Sequence, residues 1–148
     1  MNIFKSLICL DYFNLRLQNR IREAKSGGVH RIGIAWICNL LSLLGGYFIY
    51  FKLHNQADVV YDTLFELHYY EIAGRISMMV ILSIIYLIAF TIYGDKETFE
   101  KTIREYLSHT PQEQESIARK GSFYFNFSLL LFIIIAGVIV YLFKFMSK

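Results

Sequence analysis

Three stretches of this chain, 32–51, 76–94 and 121–143, contain no Lys, Arg, Asp or Glu; they are 20, 19 and 23 residues long. A helix rising about 1.5 Å per residue needs about 20 apolar residues to cross a hydrocarbon core of about 30 Å. Each window is long enough, and all 27 charged side chains fall outside them. Burying three such helices in a soluble protein would require the remaining chain to cover them, and that remainder is itself poor in charge. Overall 18% of residues are charged and 55% hydrophobic, where soluble domains run at about 25% and 45 to 50%. The pattern predicts an all-α membrane protein with three transmembrane helices.

The length allows one domain, divided into an N-terminal segment (1–31), a first span (32–51), an outer loop (52–75), a second span (76–94), an inner helical loop (95–120), a third span (121–143) and an outer tail (144–148). Lys and Arg are retained on the cytoplasmic side. The N-terminal segment holds six of them and the inner loop five, against two in the outer loop and two in the tail. This predicts a cytoplasmic N-terminus and an external C-terminus in a plasma or bacterial inner membrane. Aromatic residues at the window edges fit that frame, with Tyr47, Tyr50, Tyr69, Tyr70 and Tyr141 at the outer boundary and Tyr93 and Tyr124 at the inner one. The first ten residues lack the apolar core of a cleavable signal, and Ile8 before Cys9 is too bulky for a lipoprotein box. Cys9 and Cys38 read as small hydrophobes rather than a disulfide pair.

Between residues 3 and 22, Ile3, Leu7, Leu10, Phe13, Leu17 and Ile21 recur at spacings of three and four, which predicts an amphipathic helix. Its basic residues Arg16, Arg20 and Arg22 favour a resting place among anionic headgroups; the rival is docking on a protein partner. Gly27-Gly28 reads as a helix break before the first span. In the outer loop His54, Asp58, Asp62 and Glu66 repeat every four residues. That stripe is a solvated helix face or a docking strip for a basic partner or a weak cation. In the inner loop Asp95 is placed to cap a helix with Phe99, Ile103 and Leu107 as its apolar stripe, which needs cover from the N-terminal helix, the membrane surface or another protein. Ion pairs Glu97/Lys101 and Glu100/Arg104 fit its surface. Thr110-Pro111-Gln112-Glu113 reads as a capping box with proline at the first helical position, and its helix is expected to continue into the third span.

No ionisable residue lies inside a window, which disfavours proton relays, coupled transport and voltage sensing. There is no phosphate-binding glycine loop, HExxH or CxxC, and no motif points to a cofactor, a metal or a small-molecule substrate. The net charge of +3 is too weak to indicate nucleic acid. Polar residues within the windows are more informative. Ala35, Asn39, Ser42 and Gly46 share a helical face of the first span, with Cys38 and Gly45 beside it, suited to close packing. Asn39, Asn126 and Tyr86 fall at similar depths, roughly 10, 8 and 12 Å from the inner edge at 1.5 Å per residue, and are expected to hydrogen-bond as interhelical glue or as the lining of a cavity.

These features predict a non-enzymatic scaffold, accessory or regulatory subunit, with the lipid bilayer and another membrane protein, or further copies of itself, as partners. A homo-oligomeric pore is the alternative. The chain also resembles immunity proteins against pore-forming toxins in being small, aromatic-rich and polytopic, an analogy that implies a protective membrane role.

Overall fold

The computed structural model describes residues 2–17, 24–54 and 71–145. Among the described residues there are five helices and no strand: α1 (Ile3–Leu17), α2 (Ala24–Leu53), α3 (Glu71–Tyr93), α4 (Lys96–Leu107) and α5 (Pro111–Phe145). Three segments are long and apolar enough to cross a membrane, Gly27–Leu53, Arg75–Tyr93 and Pro111–Leu142. They contain the charge-free windows almost entirely.

The local start signals act as the sequence implies. The Asp95 carboxylate accepts from the backbone N–H groups of Glu97 (2.9 Å) and Thr98 (3.3 Å), occupying donors that a first helical turn leaves without partners. At α5 the capping box closes in both directions: Thr110 N–H donates to Glu113 Oε2 at 2.9 Å, and Glu113 N–H to Thr110 Oγ1 at 3.4 Å. The helix then runs unbroken for 35 residues. The ion pairs of α4 differ by one partner, since Glu100 is flanked by Lys96 at 3.8 Å and Arg104 at 3.7 Å.

The three long helices lie side by side with α2 in the middle. It packs against both α3 and α5, whereas α3, among the described residues, has α2 as its main neighbour. Helix α1 lies across one end of this row, against α2, α5 and α4. Gly27-Gly28 does not break the helix: both residues lie inside α2. Their absent side chains let α1 come close, because a Cβ added to Gly28 would stand 2.7 Å from Ile8 Cα. Gly121 of α5 does the same for the Ser6 carbonyl of α1. Glycine inside a helix costs roughly 0.5 to 1 kcal/mol relative to alanine, and here the contact is backbone to backbone, so no larger residue could reproduce it.

Candidate functional site

The densest chemistry of the molecule surrounds α1. The apolar spacing of its sequence anticipates one buried face, yet six consecutive residues, Ser6–Asp11, are buried, covering every side of the helix. The middle of α1 is therefore packed among other helices, against α2, α5 and α4, rather than presenting one face to them. Arg16 remains exposed in its last turn, where a cation suits the helix dipole. Arg20 and Arg22 lie outside the described residues, as do Asp58, Asp62 and Glu66 of the outer stripe.

Two ion pairs and a ring cluster hold α1 in place. Asp11, whose side chain is 6% exposed, meets Arg31 of α2 with Nε 2.7 Å from Oδ1. The same guanidinium stands over the Phe125 ring of α5, 5.4 Å from its centroid, so one cation joins three helices. Burial pushes the Asp11 carboxyl above the usual range, and Arg31 opposes that shift without cancelling it. Lys5 Nζ donates to Glu105 Oε2 of α4 at 3.3 Å. Phe4 inserts its ring among Trp36, Tyr124 and Tyr93, with centroids 5.4, 5.8 and 6.1 Å away. One side chain of α1 thus touches all three long helices.

Helix α1 also supplies cover for α4. Ile103 is buried in a cluster with Leu7 and Ile8, and Phe99 packs against it, while Leu107 stays exposed. Thr102 and Tyr106, which the stripe omitted, are buried instead. The Tyr106 ring lies edge-on to Tyr12, and among the described residues its buried hydroxyl has no hydrogen-bond partner. Burial raises that phenol to about 12, with the neighbouring Cys9 adding to the shift. The Cys9 thiol is likewise pushed up to about 12, first by burial and then by the Glu105 carboxylate.

The intramembrane polar residues separate into different contacts. Asn39 donates its amide to the Tyr124 hydroxyl at 2.8 Å, joining α2 to α5. Tyr86 pairs with His30 and stacks on its ring, lying across Gly33, where a Cβ would clash with the tyrosine. Asn126 is exposed and, among the described residues, reaches only Ser122 of its own helix, at 3.4 Å. The expected meeting of Asn39, Tyr86 and Asn126 does not occur, because α3 and α5 stand on opposite sides of α2. Depth alone is insufficient; rotation decides.

Of the proposed packing face, Ala35 and Ser42 are buried, and Ser42 Oγ donates to the Cys38 carbonyl of its own helix at 2.7 Å. Gly46 is corrected: among the described residues nothing stands within 4 Å of a Cβ placed there. Gly45 takes that role against Ile135 and Ile139 of α5, so the seam runs through Ala35, Cys38, Ser42 and Gly45, one step around the helix. Among the described residues no three His, Cys, Asp or Glu side chains gather as a metal site. Comparison of the chain with protein-family models, curated proteins and solved structures finds no match, so function must be argued from this geometry.

Proposed function

We propose that the protein is a membrane-embedded scaffold or accessory subunit without enzymatic activity, which offers the outward side of α3 to the membrane helix of another protein. The observation that carries this reading is the unequal packing of the row. Of the most apolar stretch of each long helix, 33% of residues are buried in α2, 11% in α5 and 6% in α3; α5 also carries the contacts of α1, whereas α3 has α2 as its main neighbour. Helix α3 presents Met78, Met79, Ile84 and Leu87, and methionine is an adaptable contact residue. Helix α1 braces the row from one end and leaves α3 free to engage. The charge distribution favours placing the α1 end in the cytoplasm, with 11 of 15 cationic residues on that side.

Single cysteines in a chain carrying Cys9→Ala and Cys38→Ala test both parts of the reading. An impermeant thiol reagent added to intact cells should label His54→Cys and leave Ser108→Cys unlabelled; the reverse overturns the orientation. A photo-crosslinker attached at Met79→Cys or Leu87→Cys should give a heteromeric adduct of defined mass, absent when it is attached at Leu130→Cys. Adducts formed only between copies of this chain would favour the homo-oligomer, and equal adducts from all three positions would defeat the α3 surface.

A further inference from the structure

A groove of about 470 Å³ runs between the start of α1 and the flank of α5, lined by Ile3, Ser6, Ser116, Arg119, Lys120 and Phe123. A second hollow of about 370 Å³ shares Arg119 and Phe123 and continues along α5 past Ser122, Asn126, Phe127 and Leu130. The two form one channel on the outside of the row. Its chemistry changes along its length. Arg119 and Lys120 immediately precede the charge-free window that opens at Gly121, so they stand where the hydrocarbon ends. Phe123 and Phe127, stacked at 6.1 Å, and Leu130 follow along the apolar stretch. Asn126 lies between these zones, five residues into the window, or about 8 Å deep at 1.5 Å per residue.

We infer that this channel is a binding site for a single anionic glycerophospholipid, with its phosphate between Arg119 and Lys120, its glycerol ester region beside Asn126, and an acyl chain along Phe123, Phe127 and Leu130. The inference rests on the bilayer reading of the three long helices and is independent of the protein partner. Charge complementarity selects the occupant, since a cationic pair at headgroup level favours an acidic lipid over a zwitterionic one. Arg119 is bridged to Glu115 at 2.9 Å, but both are exposed, with side chains 80% and 59% accessible, and such pairs hold a guanidinium weakly. Asn126 supplies the second argument. An amide facing hydrocarbon needs a hydrogen-bond partner, its contact to Ser122 is long at 3.4 Å, and the ester carbonyl of a lipid whose phosphate sits at Arg119 and Lys120 is the polar group that follows it into the channel. Because Ile3 and Ser6 form the far wall, the bound lipid touches α1 as well as α5 and strengthens the hold on α1.

The test uses the full chain purified in a neutral detergent and titrated with phosphatidylglycerol or phosphatidylcholine, with bound lipid counted by native mass spectrometry. At about 1 kcal/mol per basic residue near the surface, or about fivefold each, the acidic lipid should bind about 25-fold more tightly. Arg119→Gln with Lys120→Gln should bring the two lipids within about twofold of each other, whereas Lys96→Gln with Arg104→Gln, exposed cations of α4, should keep the preference. Asn126→Leu should weaken both lipids alike and keep the ratio. Inorganic phosphate should not compete. Equal affinity of the unaltered protein for the two lipids, a preference that survives loss of Arg119 and Lys120, or full displacement by inorganic phosphate overturns the site. A chain that stays monodisperse without detergent defeats the bilayer reading instead, so the two failures are distinct.

Discussion

The two ends of the same three helices are built differently. At the α1 end, Phe4, Trp36, Tyr93 and Tyr124 interlock, two ion pairs cross between helices, and backbones meet at Gly28 and Gly121. Towards the other end close contacts are fewer among the described residues: past Gly45, Leu142 is still buried, but Gly46 and Gly137 meet nothing described within 4 Å of an added Cβ, and Tyr47, Val140 and Tyr141 are 64%, 64% and 59% exposed. The solvent explains the contrast. Between helices in lipid no hydrophobic force operates, because the lipid tails are as apolar as the side chains. Where the chain leaves the apolar layer, burying Leu7, Ile8 and Ile103 against water-facing helices is favourable at roughly 25 cal/mol per Å². The row is therefore fastened at one end by a helix outside it.

The largest effect should come from the buried charge at the fastened end. Arg31→Leu leaves the Asp11 carboxylate buried without its cation, at a cost of about 3 to 5 kcal/mol. Asp11→Asn removes the charge that burial penalises while Arg31, 36% exposed, keeps access to water, so it should cost about 1 kcal/mol or less. The double variant should recover most of the loss, which thermal unfolding in detergent would measure. The pH dependence has a definite sign. The folded-state pKa of Asp11 is raised, so its contribution is fully present below the ordinary carboxylate range and is lost as pH rises through the folded value. Without Arg31 the shift grows, and the penalty of Arg31→Leu should shrink on acidification.

Next in size are the glycines, which set the two ends directly against each other. Gly28→Val and Gly121→Val push against backbone atoms of α1 and should cost about 1 to 3 kcal/mol by overpacking. Gly46→Val and Gly137→Val enter open space and should stay within about 0.5 kcal/mol. Cys9 gives an independent readout. Buried in α1 with its thiol pushed up to about 12, it should resist alkylation at mildly alkaline pH and become reactive when Gly121→Val dislodges the helix. Equal effects at both ends would mean that α1 does not fasten the row.

How much of this is legible in the sequence follows from the range of the forces. Charge-free windows mark the long helices because desolvating an ion is costly wherever it falls in the window. The caps at Asp95 and Thr110/Glu113 are readable because donor and acceptor lie within three residues of each other. Asp11 and Arg31 are 20 residues apart, and nothing local in either announces the other. Gly27-Gly28 has the composition of a break, and only the presence of Ile8 and Asp11 opposite reveals a close approach. The seam passes through Gly45 and not Gly46, a distinction the small-residue pattern does not carry, because one residue turns a helix by about 100°, enough to exchange a packed position for an open one. For Thr102 and Tyr106 the missing information was that α1 would cover them.

The smallest effect should be the hydrogen bond from Asn39 to Tyr124, and it tests whether the long helices contribute a polar fastening of their own. It joins α2 to α5, whereas the pairing of His30 with Tyr86 joins α2 to α3. Interhelical hydrogen bonds in membranes average about 0.6 kcal/mol, reaching roughly 1 to 2 kcal/mol in model peptides, because the unfolded chain in lipid also finds partners. Asn39→Leu and Tyr124→Phe should therefore each cost little, the second preserving the ring that packs against Phe4. A double-mutant cycle in detergent separates the bond from that packing. A coupling near 0.6 kcal/mol is expected, with Asn126→Leu, whose amide meets only its own helix, showing none with Asn39→Leu. Strict additivity of Asn39→Leu and Tyr124→Phe would leave the hold between α2 and α5 to α1 and to apolar packing, whereas a coupling as large as the Asp11–Arg31 effect would mean that these two helices hold their own register and that α1 only reinforces it.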